Sequence, residues 1–181
     1  MRSLFNLTKK LFHIILLAKG GSEMYNVLVV SSYIIKRCNE LGYEISNLKL
    51  QKLLYFVQAI FLINKNVPCF KEAIEAWDLG PVVPVAYQAF KKYGSRSIPP
   101  VKYSYYIEDG KLWDAKKMHF EDNVIENNID RLLIETVIKK FASRSSSELV
   151  SLTHNQKPWR ETYQSHRNNV ISIDKIKEYF K

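Results

Sequence analysis

Only two cysteines, Cys38 and Cys69, occur among 181 residues. They stand far apart and form no C-x-x-C pattern, which excludes a disulfide framework and speaks against zinc. The expectation is two small buried hydrophobes in a reducing compartment, the cytoplasm. The four histidines (13, 119, 154 and 166) show no i, i+4 pair or other metal-ligand spacing. Neither a G-x-x-x-x-G-K-[ST] nor a G-x-G-x-x-G phosphate loop is present. No nucleophile elbow or paired-carboxylate motif accompanies any histidine, so the sequence offers no catalytic, metal-binding or cofactor-binding residue.

No apolar run is long enough to cross a membrane as a helix. The longest, residues 11–18, follows Lys9 and Lys10 and is interrupted by His13, whereas a spanning helix needs about 20 apolar residues. No A-x-A-like cleavage site follows it. Residues 1–23 therefore stand apart from 24–181. Lys19-Gly20-Gly21 can be encoded by a purine-rich run of the ribosome-binding type, and it precedes Met24 closely. The expectation is that the natural chain begins at Met24 and that residues 1–23 are an extension read from a misassigned start. An amphipathic helix docked on the body or lying on a membrane is the alternative.

Acidic residues are also in short supply, 18 against 27 basic, for a net charge of +9. Arg2, Lys9, Lys10, Lys19 and Glu23 all precede Met24, so +6 remains beyond it. The basic residues are scattered through helix faces rather than bunched, which reads as solvation more than as a nucleic-acid groove.

What is abundant is apolar and aromatic: 46% hydrophobic residues, with 11 Tyr and 9 Phe, enough for one core without staples. Val27, Val30, Ile34, Cys38 and Leu41 follow helical spacing, and Gly42 supplies a left-handed stop. Ser46 or Asn47 then caps a helix carrying Leu50, Leu53, Leu54, Val57, Ile60 and Phe61, with Phe56 and Ile63 on its flank. Covered on two sides, it should be central. Residues 73–78 read equally as a short strand or a helical turn. Gly80-Pro81-Val82-Val83-Pro84 reads as a rigid connector, with Pro84 opening a helix that runs to about Tyr93 and stops at Gly94.

Tyr103, Tyr105 and Ile107 alternate with Lys102, Ser104 and Tyr106, and Asp109-Gly110 predicts a hairpin turn before a return strand from Leu112 and Trp113. A long helix is expected over 121–141, its buried stripe made by Ile125, Ile129, Leu132, Leu133, Thr136 and Val137. Glu121 and Asp122 at its start and Lys139, Lys140 and Arg144 at its end complement the dipole. Ser145 to Glu148 reads as a capping box for a short helix to about Thr153, and Ser172 caps a last one over 173–180. The fold class that follows is α+β and predominantly helical: a compact multi-helix domain with one small β-hairpin.

Three segments together resemble the Panacea domain family, the SocA-like antitoxins and phage-associated GepA-like proteins. They are the run from Leu48 to Phe56, with Leu53 and Tyr55; the run from Glu75 to Pro84 with Tyr87 beyond it; and Glu148-Leu149, Leu152-Thr153-His154 and Pro158-Trp159, followed by Ile171-Ser172 and Tyr179-Phe180. The resemblance covers about residue 27 to the C-terminus, little of 103–123, and nothing before Met24. It implies an antitoxin of a toxin–antitoxin system, without catalysis or cofactor, carried by a prophage or mobile element. It would neutralise a cognate toxin encoded nearby by direct contact, by occlusion or by delivery to a protease or chaperone. Trp77, Asp78, Gly80, Pro81, Tyr103 and Tyr105 are the candidate toxin contacts. For Trp77 a second reading stays open, a core side chain beside a turn that needs Gly80 and Pro81. Leu53, Tyr55, Thr153, His154 and Trp159 belong to the family pattern in structural roles, with Thr153 or His154 satisfying backbone groups at a helix end under Trp159. The alternative function is a nucleic-acid-binding regulator, drawn from the basic charge and the aromatics; an enzyme using His154 or Asp78 lacks a constellation.

Overall fold

The computed structural model describes residues 24–107, 115–119 and 125–181, with the backbone alone for 104–107 and 115–119. The expectations for residues 1–23, Asp109-Gly110, Leu112, Trp113, Glu121 and Asp122 lie outside the described residues. Helix α1 (Val27–Glu40) is opened by Asn26, whose side chain accepts from the Leu28 N–H at 2.8 Å. It ends where Gly42 takes a φ of 74°, the left-handed stop. Ser46 caps α2 (Asn47–Asn64), accepting from the Lys49 N–H.

Helix α2 is the axis of the molecule and packs against α1, against β2 (Gly80–Val82) and against helices α3 (Pro84–Phe90), α4 (Asn128–Phe141), α5 (Ser146–His154) and α7 (Ile173–Phe180). Apart from the half-buried Leu48 and Ile63, its apolar residues are buried on every side, as expected of a helix at the centre of a layer on layer packing. Phe56 stacks on Phe141 with centroids 4.2 Å apart, and meets Phe180 edge-on.

The polar residues of α2 are buried too, and most of them hold other parts of the chain, while Asn64 turns back to the Ile60 carbonyl of its own helix. Asn47 donates to the Tyr87 carbonyl, Lys49 to the Glu44 and Ala142 carbonyls, and Gln58 brackets Cys69 and Phe70. Buried polar groups must be satisfied, and irregular backbone needs partners. One helix answers both demands.

The core expectations for α1 and α2 agree with the structure except at Leu41, which follows the end of α1 as its C-cap and is 43% exposed; Cys38 and Cys69 are both buried and free. Pro84 opens α3, which passes into a 3-10 turn (Lys91–Tyr93) before Gly94. Ser145 and Glu148 form the capping box of α5, the short α6 (Lys157–Arg160) follows, and Ser172 caps α7. No described helix is long and apolar enough to cross a membrane.

Two larger expectations are corrected. The helix expected over 121–141 begins at Asn128, because the Asn127 side chain accepts from the Ile129 and Asp130 N–H groups and fixes the start there. The stripe also differs: Leu132 is 44% exposed and Thr136 faces solvent, while Leu133, Ile134, Val137, Ile138 and Phe141 are buried. Asp130 takes a buried place in it, held by Lys65 at 2.6 Å and by the Tyr25 hydroxyl at 3.0 Å.

The second correction concerns the stretch read as a connector. Strand β1 (Glu75–Trp77) pairs antiparallel with β2, registering Ala76 with Pro81 and Trp77 with Gly80. The described residues thus hold two hairpins rather than one, the second formed by β3 (Tyr103–Ile107) and β4 (Ala115–His119). Pro81 is tolerated because its pair is the non-hydrogen-bonded one. The Ala76 N–H points away from β2, to the Asn169 carbonyl at 2.9 Å, so a ladder bond at Pro81 is not required.

Candidate functional site

The three sequence segments singled out above converge on the first hairpin. Its β1 edge is completed by the chain before α7: Ala76 N–H donates to Asn169, and Ile171 N–H to the Ile74 carbonyl at 2.8 Å. Its β2 edge is completed by side chains of α2. The Gln51 carbonyl oxygen accepts from the Val83 N–H at 2.9 Å, and Lys52 Nζ donates to the Pro81 carbonyl at 3.0 Å. Neither edge is left open for another strand.

Lys52 is the unusual member. It is completely buried, and its ammonium donates to the Pro81 carbonyl. Burial pushes its pKa down to about 7, and among the described residues no carboxylate offsets it. Gly80 sits on top of it with a φ of 100°, and a Cβ there would lie 2.8 Å from both Lys52 Nζ and Thr153 Oγ1. Only glycine fits both the backbone angle and the space.

The turn Asp78-Leu79 is fastened from α5, α6 and the segment after it. Trp159 Nε1 donates to the Trp77 carbonyl at 2.9 Å, and the Tyr163 hydroxyl donates to Asp78 Oδ1 at 3.0 Å. The His154 ring hydrogen-bonds to the Asp78 backbone and lies flat on Trp159, centroids 3.8 Å apart; Trp159 stacks in turn on Tyr163. Burial and the neighbouring Lys52 charge hold His154 below the ordinary histidine value, against the pull of the Asp78 bond. Thr153 turns back to the Leu149 and Val150 carbonyls of its own helix.

Of the candidate contacts, the structure brings Trp77, Asp78, Gly80 and Pro81 together, but at different depths. Asp78 is exposed, Trp77 is half-buried against Tyr87 with its indole N–H given to Glu75, and Gly80 and Pro81 are buried. Tyr103 and Tyr105 lie on the second hairpin, which packs on α3; Tyr103 is 47% exposed. Leu53 is core, and Tyr55 is buried edge-on to Phe180. Sequence reasoning gave no role to Gln51, Lys52 and Tyr163, and covered Leu79 only as part of the stretch from Trp77 to Pro81. The available signal was Gln51-Lys52 inside an otherwise apolar helix, where a polar side chain must find a buried partner.

Among the described residues no three histidine, cysteine or acidic side chains gather as a metal site. The arrangement positions a turn rigidly and leaves its tip outward: Leu79 is 56% exposed.

Comparison with known proteins agrees with this grouping of residues. The chain is 33% identical over 131 residues to Antitoxin SocA of Caulobacter vibrioides, a match spanning 72% of this chain and 66% of that relative. The chain thus covers slightly less than two-thirds of the relative's length. No solved structure matches. The family model described as "Antitoxin SocA-like, Panacea domain" matches residues 50–160, from the first turn of α2 to the end of α6. The chain belongs to the SocA-like, Panacea-domain family.

Proposed function

We propose that this protein is the antitoxin of a toxin–antitoxin system and silences a cognate toxin, encoded beside it, by direct protein–protein binding. Family membership supports the antitoxin role. The observation that carries direct binding is the locked hairpin. Motif residues from three parts of the chain hold one turn in a single conformation, and that turn presents an apolar side chain, Leu79, to solvent. A surface already in its bound shape loses little freedom on association. Burying about 1,600 Å² in total is enough to block a toxin without chemistry.

In this reading Asp78 and Leu79 touch the toxin, Trp77 flanks them, and Gly80 and Pro81 act from beneath by fixing the turn. Tyr103 and Tyr105 supply a second aromatic contact. The protein works in the cytoplasm and contributes no catalytic group.

The test is growth rescue. The toxic reading frame adjacent to this gene is expressed alone and together with the full chain, and the complex is sought by co-purification from the rescued cells. Restored growth with a co-purifying toxin is expected. Restored growth without any complex, or no rescue of any adjacent toxic frame, removes the reading.

A further inference from the structure

An open groove of about 790 Å³ runs between the start of α2, the tip of the first hairpin and the outer face of α5. Leu48, Leu79 and Val150 give it an apolar floor, and Ser147, Ser151 and His154 line its walls. Among the described residues no lysine, arginine, aspartate or glutamate lines it, although the chain carries a net charge of +9. Burial and the neighbouring Lys52 ammonium hold its titratable lining group, His154, below the ordinary histidine value. A phosphate backbone or an acidic tail would find no lysine or arginine on that lining, and a basic segment no carboxylate.

The walls are fixed before any partner arrives. The Ser145–Glu148 capping box sets the start of α5, and the bonds to Trp77, Asp78 and Pro81 set the hairpin. Ser147 and Ser151 stand one helical turn apart on α5, both exposed, and their short side chains let another backbone come close. A neutral floor with short hydroxyls along it is cheap to desolvate against apolar groups and costly against a charge.

Resting on the antitoxin reading, we propose that this groove receives an uncharged apolar segment of the toxin. An aliphatic or aromatic side chain packs between Leu79 and Val150, and the segment's backbone lies against Ser147 and Ser151. Gripping therefore depends on shape and apolar burial, and weakly on charge.

The experiment is calorimetric titration of the purified full chain with the toxin that the rescue assay identifies, using wild type, Leu79→Asp and Ser151→Arg. Both positions are exposed, so both variants should melt with wild type. Each is expected to lower affinity by about tenfold or more, by placing a charge or bulk in the groove. Wild-type affinity should change by less than about threefold between low and high salt, since screening acts on charge pairs. Folded variants that bind as wild type does, or an affinity that collapses in salt, overturn the groove and leave the antitoxin reading standing. A wild type that neither rescues nor binds removes that reading, and the groove with it.

Discussion

The two hairpins of this chain have the same topology and opposite origins. The second has five-residue strands, and the alternation of Tyr103, Tyr105 and Ile107 announces it in the sequence. The first has three-residue strands, one of them containing Pro81, and no periodicity reveals it. A strand that supplies its own pleated face is encoded locally. A shorter one exists because distant groups complete its edges: here Gln51 and Lys52 on one side, Asn169 and Ile171 on the other. The first hairpin should therefore fail when its bracket is disturbed, and the second should be indifferent to that bracket.

The largest effect is expected at Gly80. Gly80→Ala adds a Cβ 2.8 Å from Lys52 Nζ and from Thr153 Oγ1 at a φ of 100°. Strain and overpacking together should cost about 3 kcal/mol, which lowers Tm by about 6–12 °C. Gly42→Ala is the control: its φ is 74° but nothing lies within 4 Å, so about 1 kcal/mol is expected. Equal losses in the two variants, measured by denaturant unfolding, would mean that the bracket over Lys52 does not discriminate.

Lys52 offers a test through pH. Its folded-state pKa, about 7, lies below the ordinary lysine value, so the unfolded chain holds more protons above pH 7. Stability must then rise with pH through this group, starting near 7. The buried thiols of Cys38 and Cys69, pushed up by burial, act the other way above their ordinary value, and His154 acts below pH 6.5. Lys52→Met cancels these when subtracted from wild type. Wild type should gain about 2 kcal/mol on the variant between pH 7 and 8.5. Parallel curves would show that Lys52 keeps its ordinary pKa, and the account of an unpaired buried ammonium would be wrong.

A smaller loss is expected at the aromatic fastening. Trp159→Phe keeps a ring against His154 but removes the donor to the Trp77 carbonyl. A carbonyl losing its buried partner should cost about 1–2 kcal/mol. No loss in thermal unfolding would mean that the turn is held by Lys52 and Gln51 alone.

The helices and their ends were legible because each signal was local. The Ser145–Glu148 box, Ser172, Gly42 and Pro84 act within one turn of themselves. The misplaced start of α4 came from counting apolar spacing backwards past Asn127, whose side chain ends that regularity. Leu132 was assigned to the stripe and Asp130 was not, because a buried carboxylate is justified only by Lys65 and Tyr25, 65 and 105 residues away. The site was half-legible for the same reason. Residue types such as Trp77, Gly80, His154 and Trp159 stand out singly, whereas their meeting over Lys52 is a long-range fact. Depth was not readable either: Gly80 and Pro81 carry the hairpin from below, and Leu79 between Asp78 and Gly80 carries the exposed apolar surface.

The least disruptive change separates the hairpins most sharply. Tyr103 begins β3, pairs with His119 and is 47% exposed, so its ring contributes little to the core. Tyr103→Thr keeps a residue that suits a strand and should shift stability by no more than about 0.5 kcal/mol. If the tyrosines of this hairpin add a toxin contact, the same variant should weaken toxin affinity severalfold, less than Leu79→Asp does, because a half-exposed rim side chain gives less than one central to the groove. A stability loss comparable to that of Gly80→Ala would break the comparison from the other side, making the second hairpin a structural element in its own right. The two readouts are independent, since one is measured without toxin and the other at a fixed temperature below both melting transitions.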